Sequence, residues 1–246
     1  MRKLILLLVA LVLMFVAVGC SRHEQPTRVN AAGQPVSQER SEVLNRLTDS
    51  GKVLNELTAA PDKGIPENVL KEAKCVAIVP DMVKGGFVIG GQHGRGVATC
   101  RNANGWSAPA FFTLTGGSWG AQIGAESVDL VLLVMNEAGM NQLLSANWKF
   151  GGEGAIAAGP VGREAAASTD WKLRAQVLTY SRTRGVFAGL TLSGANMRQD
   201  DDSTRAFYKQ DYDFRTLLTG KVPAPPQARD FIASVRQNFR EANAAQ

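Results

Sequence analysis

KGGFVIGGQHGRG, Lys84 to Gly96, packs six glycines into thirteen residues and carries one of the two histidines in the chain. Its reading decides the fold. A phosphate-cradling loop places glycines at fixed offsets so that backbone N–H groups converge on an anion at the mouth of a helix. The offsets here differ: Gly91 and Gly96 have the separation of a Walker A pair, but Val97 follows where Lys is required, and Thr99 stands where a dinucleotide fingerprint needs its third glycine. What comes next, Val97 to Cys100, is β-prone and carries no helix start. The stretch therefore predicts a glycine-bearing hairpin, with His93 and Arg95 at its tip.

Outward from it, short β-prone runs alternate with glycine-rich or asparagine-rich turns: Val76 to Val79, Phe87 to Ile89, Val97 to Cys100, Ala110 to Thr115, Gln122 to Ala125 and Val128 to Met135. The last is apolar apart from Asp129 and predicts a central strand. Further runs are expected at Gly154 to Ala158, Ala165 to Ala167, Leu173 to Ser181 and Gly185 to Leu192. Helical spacing predicts α-helices over Ser37 to Thr58, Glu67 to Ala73, Glu137 to Ser145 and Gln227 to Ala242, with Ser37 as a possible N-cap and Pro225 and Pro226 at the entry to the last. The predicted class is α+β, an antiparallel glycine-rich sheet or partial barrel flanked by N- and C-terminal helices.

The N-terminus predicts a targeting segment. Arg2 and Lys3 precede an apolar run from Leu4 to Val18, too short for a comfortable membrane span, and Ala17-Val18-Gly19-Cys20 resembles the lipobox of bacterial lipoproteins. On that reading residues 1–19 are a signal peptide, Cys20 receives the lipid, and residues 20–38, polar with Pro26, Gly33 and Pro35, form a flexible tether to a domain at 39–246. Ser21 in place of Asp implies, by the same resemblance, outer-membrane retention with the domain facing the periplasm. Removing Arg2 and Lys3 lowers the formal charge from +5 to +3. With no basic stripe interleaved with aromatics, nucleic acid is not an expected partner. Cys75 and Cys100 remain, both in β-prone runs; an oxidising compartment makes them a disulfide candidate, although spacing alone leaves two free thiols open.

Several motifs suggest chemistry and stop short of it. Gly116-Gly117-Ser118-Trp119-Gly120 matches the G-x-S-x-G nucleophile elbow, but strand-like sequence follows where a helix must open, and no histidine lies beyond His93. His93 has only His23, in the tether, as a fellow histidine, so neither a general base nor a metal site is expected. Asp200-Asp201-Asp202 lacks the glycine and glutamate of a calcium loop, with Arg205 and Asp211 at those places, and reads as a solvated turn. Among the cations, Lys84, Arg95 and Arg101 flank the glycine-rich strands, and Arg163, Arg174, Arg182 and Arg184 follow in the second strand set. Arginine's forked donors match phosphate oxygens, though charged turns are also ordinary surface.

The blocks AKCVAIVPDMVKGGFVIGG, GRGVATCR, WSAPAFFTLTGGSWGAQIGAE, DLVLLVMN, AAGPVGREAAASTD, LTYSRTRGVFAGLTLSGA and KVPAPP resemble, in order, the SYLF domain, and span about Glu39 to Phe239. The resemblance implies an α+β domain without enzymatic activity or cofactor that binds phospholipids, phosphoinositides in its eukaryotic members. In those an amphipathic N-terminal helix meets the membrane, and some bind actin. The helix beginning near Gln38 has a polar face of mixed sign here, which favours core packing over insertion. The expectation is a noncatalytic domain for phospholipids with anionic or phosphoinositide-type headgroups. Lys84, Arg95, Arg101, Arg182 and Arg184 are its headgroup contacts and Cys20 its lipid attachment. The alternative is an envelope interaction protein that docks a protein partner.

Overall fold

The computed structural model describes residues 33, 35–60, 64–151, 156–161, 175–183, 186–188, 192 and 194–244, with backbone alone at 86–89, 118–125, 186–188 and 241–244. Two strands dominate. β1 runs Cys75–Asn102 and β3 runs Ala110–Val134, joined through the short β2, Gly105–Trp106. They pair antiparallel from Cys75 opposite Val134 to Ala98 opposite Ala110, with register shifts at Val79/Met82 and Gly86/Val88. Where the sequence predicts short runs separated by turns, the glycines thus lie inside continuous strands, and His93 faces Thr115 within the ladder rather than sitting at a hairpin tip.

The reason is that the ribbon folds back on itself. The Cα atoms of Cys75 and Cys100, at opposite ends of β1, are 4.0 Å apart and their sulfurs are bonded. The Arg101 N–H donates to the Lys74 carbonyl at 2.8 Å. Glycine is required where the two arms meet: a Cβ on Gly96 would lie 2.4 Å from Phe112 Cζ and 2.6 Å from the Ile78 carbonyl oxygen. Glycine at such a site permits backbone approach that no side chain allows.

Around the ribbon stand α1 (Val36–Ala59), α2 (Glu67–Glu72), α3 (Glu137–Leu143), β4 (Asn147–Lys149), β5 (Ile156–Ala158), β6 (Val177–Thr183), β7 (Val186–Ala188), β8 (Asn196–Gln199), α4 (Asp201–Tyr208), α5 (Phe214–Leu218), a 3₁₀ turn at Pro226–Ala228 and α6 (Arg229–Ala244). They form one curled sheet, ordered β2-β1-β3-β6-β5, with β7 on β6, β8 on the first part of β3 and β4 on β8; the β5–β6 pair is parallel and the rest are antiparallel. The α+β class with terminal helices is as the sequence predicts.

Where the two arms of the ribbon meet, both faces of the sheet are buried. Val76, Ile78, Val131 and Leu133 point into one core with Val43, Leu47 and Leu54 of α1 and Phe231, Val235 and Phe239 of α6. The intervening Ala77, Val79, Leu130 and Leu132 point into a second core, closed by Phe112, Trp148, Phe150 and Phe214. That is why Val128 to Val134 is apolar in nearly every position: as the expected central strand, between β1 and β6, it has no solvent face. The disulfide belongs to the second core. The terminal helices are joined by polar contacts, with Asn238 donating to Asn55 Oδ1 at 2.7 Å and Thr58 Oγ1 bonded to Asn238 Oδ1.

Two local expectations change, and a third is untested. Ser37 lies within α1, one residue after its start. The acidic run is a helix start rather than a solvated turn: Asp200, 7% exposed, accepts from the Ser203 N–H at 3.0 Å and caps α4. The strand expected at Ala165 to Ala167 lies outside the described residues.

Candidate functional site: a charged cleft between α1 and β1

Glu39, Val43, Arg46, Ser50 and Leu57 share one buried stripe of α1. Two of them are charged, and buried charges need partners. Arg95, reaching from β1, supplies most of the pairing. Its Nε donates to Asp200 Oδ2 at 3.0 Å, its Nη1 to Glu42 Oε2 at 3.1 Å, and its Nη2 to Glu39 Oε1 and, at 2.8 Å, to Ser203 Oγ. Ser203 Oγ lies 2.8 Å from both Glu39 Oε1 and Asp200 Oδ2. Burial works against the Arg95 charge, but Asp200 and then Glu39 outweigh it and raise the pKa above the ordinary guanidinium value. Burial likewise opposes the Asp200 carboxylate, yet the Ser203 N–H and Arg95 hold its pKa below the usual range.

Beside this cluster opens a cleft of about 360 Å³. Its helix wall is Glu42, Asn45, Arg46 and Asp49, spaced three, four and seven residues from Glu42 and therefore on one face. Its strand wall comes from both arms of β1, with Asp81 and Val83 on one and His93 and Arg95 on the other. Asp81 takes a left-handed backbone, φ 50°, at the first register shift, and its carboxylate accepts from Ser127 Oγ at 3.0 Å. Val83 is 52% exposed.

Among the described residues the sequence-predicted cations occupy different places, and Arg95 is the one of them that lines the cleft. Arg101, one residue before the end of β1, donates to the carbonyls of Ala73 at 2.9 Å and Leu70 at 3.2 Å at the end of α2, and stacks 5.1 Å from both the Trp106 and Phe239 ring centres. Arg182 pairs with Asp129 and Glu56, and the Asp129 hydrogen bond leads in raising its pKa. Lys84, opposite Glu126 in the ladder, has no ion-pair partner among the described residues. Arg184 and Cys20 lie outside the described residues, as do Arg163 and Arg174. Ser118 sits inside β3, which continues as strand to Val134.

Sequence reasoning did not single out Glu39, Glu42, Arg46 or Ser203, and weighed Asp200 only as the start of a calcium loop. For α1 the signal was available: Glu39 and Arg46 are seven residues apart, in register with Val43, Ser50 and Leu57, so they sit in the apolar stripe rather than on the solvated face. For Asp200 the signal was an acidic residue three positions before the first buried hydroxyl of a short helix, which is N-cap spacing.

Comparison with known proteins gives these residues a context. A family model described as Ysc84, Las17-binding protein actin regulator, matches residues 115–238. The chain is similar to "SH3 domain-containing YSC84-like protein 1" of Rattus norvegicus, 33% identical over 208 residues that cover 82% of this chain and 61% of that protein. It is also similar to "Protein YSC84" of Saccharomyces cerevisiae, 34% identical over 171 residues, 68% of this chain and 36% of that one. A third relative, "LAS seventeen-binding protein 3" of Saccharomyces cerevisiae, is 32% identical over 189 residues, 74% of this chain and 41% of its own. The match thus spans about three-fifths of the YSC84-like proteins and less of the yeast ones.

Proposed function

Because this chain belongs to the Ysc84, or SYLF-domain, family, we propose that it is a noncatalytic phospholipid-binding domain. Cys20 would hold it as a lipoprotein on the periplasmic side of an outer membrane, with the domain itself meeting anionic headgroups. The observation that carries this reading is the exposure of Val83, 52%, on the open part of the ribbon, with the cation Lys84 next in sequence on the opposite face of the strand. Val83 is one of two exposed large hydrophobic residues among the described residues, with Val161 the other. Lys84 follows it, on the face it shares with Glu126, with no ion pair among the described residues, and the sequence then continues Gly85-Gly86-Phe87-Val88-Ile89 into the fold of the ribbon. Exposed apolar side chains and basic residues near them in the fold are the two features that hold a protein at an anionic bilayer surface. Of the other assigned headgroup contacts, Arg95, Arg101 and Arg182 are engaged by protein partners and would add long-range field rather than first contact; Arg184 completes the set. The placement of Ser118 in an uninterrupted strand supports the noncatalytic part of the reading.

The test is cosedimentation of residues 21–246, without the acyl anchor, on liposomes of graded anionic content at low and high salt. Retention should rise with anionic lipid, weaken with salt, and fall about tenfold in the double variant Val83→Gln/Lys84→Gln. No retention on any composition would sink the reading. It would favour the second one, an envelope protein that docks a protein partner, for which the support is that relatives are named for binding a protein.

A further inference from the structure

Arg46 lies at the wall of the cleft with 6% of its side chain exposed. Burial lowers its pKa to about 10, so it carries its charge throughout the neutral range. Yet it forms hydrogen bonds through Nη1 alone, to Ser203 Oγ at 3.1 Å and Asp200 Oδ2 at 3.5 Å, while its other face rests on the Phe111 ring, 5.8 Å from the centre. Among the described residues Nε and Nη2 have no hydrogen-bond partner, and neither atom is fully enclosed, so both remain open to a ligand in the cleft. They suit an anionic oxygen.

Beyond Arg46 itself and Arg95, the latter with its donors taken by Glu39, Glu42, Ser203 and Asp200, the remaining charged lining of the cleft is acidic. Glu42 is already bonded to Arg95, but Asp49 and Asp81 are not tied to any buried cation: Asp49 pairs with Lys52, which is 64% exposed, and Asp81 with the Ser127 hydroxyl. A simple anion entering the cleft would meet these carboxylates. A simple cation would leave the Arg46 donors unmatched. Among the described residues no three His, Cys, Asp or Glu side chains are grouped to hold a metal ion. The volume, about 360 Å³, lies in the range of small-ligand sites.

We propose that this cleft binds a zwitterion, an ammonium group joined by a short linker to a phosphate or carboxylate, with Arg46 taking the anion and Asp49 and Asp81 the ammonium. Such a ligand is neutral overall and satisfies both halves of the wall. The proposal rests on the membrane reading only for its preferred source, the phosphoethanolamine headgroup of a phospholipid, for which exposed Val83 at the rim provides an apolar contact. A free amino-phosphate or amino acid presents the same chemistry from solution.

The experiment uses the full chain carrying Cys20→Ser. Calorimetric titration with O-phosphoethanolamine, inorganic phosphate and ethanolamine separately should show the first binding at least about tenfold more tightly than either half. Asp49→Asn, at an exposed position, should weaken it about fivefold or more with the urea midpoint unchanged, and Arg46→Lys, which keeps charge but loses the fork, should weaken it further. No heat from O-phosphoethanolamine up to about 10 mM, or affinity equal in the parent and Asp49→Asn, overturns the proposal. Vesicles of phosphatidylcholine, alone or with phosphatidylethanolamine or phosphatidylglycerol, separate the sources. Retention that follows phosphatidylethanolamine supports the headgroup. Retention that follows phosphatidylglycerol alone, without soluble binding, overturns the cleft and leaves the membrane reading standing. Soluble binding without retention on any vesicle does the reverse.

Discussion

The two ends of the β1–β3 ribbon use the same residue, glycine, for opposite purposes. Near the base, where the arms close on each other, Gly94 and Gly96 have no room for a Cβ: one would lie 2.4 Å from Val79 Cγ1 at Gly94 and 2.4 Å from Phe112 Cζ at Gly96. Toward the fold of the ribbon, Gly91 meets nothing nearer than 3.9 Å and Gly117 nothing within 4 Å. The base is a packed core element, with Cys75, Val76, Ile78 and Cys100 fully buried, whereas Val83 and His93 stand in solvent. Glycine richness in itself therefore says little. What it permits depends on whether a second strand is pressed against it.

The strongest break of this contrast is a pair of single methyl groups. Gly96→Ala forces the Phe112 ring and the Ile78 carbonyl apart and should cost about 3 to 4 kcal/mol, at the top of the range for overpacking a core. Gly117→Ala, on the same ribbon with open space, should change stability by less than about 0.5 kcal/mol. Urea midpoints of the two variants decide the matter. Equal shifts would mean that the arms do not close as described.

Reducing the Cys75–Cys100 bond sharpens the same contrast. The bond spans 25 residues of sequence and ties the two ends of β1, so its loss frees the unfolded chain by about 3 kcal/mol. Hydrogen exchange under reducing conditions should accelerate at the amides of Val76 to Val79 and Val97 to Cys100. The segment from Gly90 to His93, less enclosed from the start, should change much less. Uniform acceleration would show one cooperative unit rather than a locked base and an open end.

How much of this was legible in the sequence follows the same division. The β-prone run from Val76 to Val79 and the apolar run from Val128 announced strands, and the 3.6-residue spacing of Val43, Leu47, Leu54 and Leu57 announced α1, because burial marks the local sequence. The closing of the ribbon was not legible. It depends on contacts such as Gly96 with Ile78, eighteen residues apart, and on register shifts that leave no periodic mark. β4 and β8 are three and four residues long, too short to carry a pattern. The cations were noticed as a set, but their partners Glu39, Asp129 and Asp200 come from α1, β3 and the start of α4, and local sequence does not show which charges meet.

At the base, between Gly94 and Gly96, Arg95 centres the cluster through which α1 and α4 grip the ribbon. Asp200→Asn keeps the shape of the cap on α4 but removes the charge shared by Arg95 and Arg46. The cost should be about 2 kcal/mol, below that of breaking a wholly buried pair because Arg95 is 28% exposed and retains Glu39 and Glu42. The pH dependence fixes the cause. The folded pKa of Asp200 is depressed, so its stabilisation is complete above the unfolded value near 4 and is lost as pH falls through the lower folded value. The parent should therefore lose stability across that acid window, and Asp200→Asn should lose less there, so that the gap between them narrows with acidification. A gap of constant size from pH 7 to pH 3 would mean that Asp200 acts through its cap geometry alone. In that case the grip of α1 on the ribbon would have to come from Glu39 and Glu42.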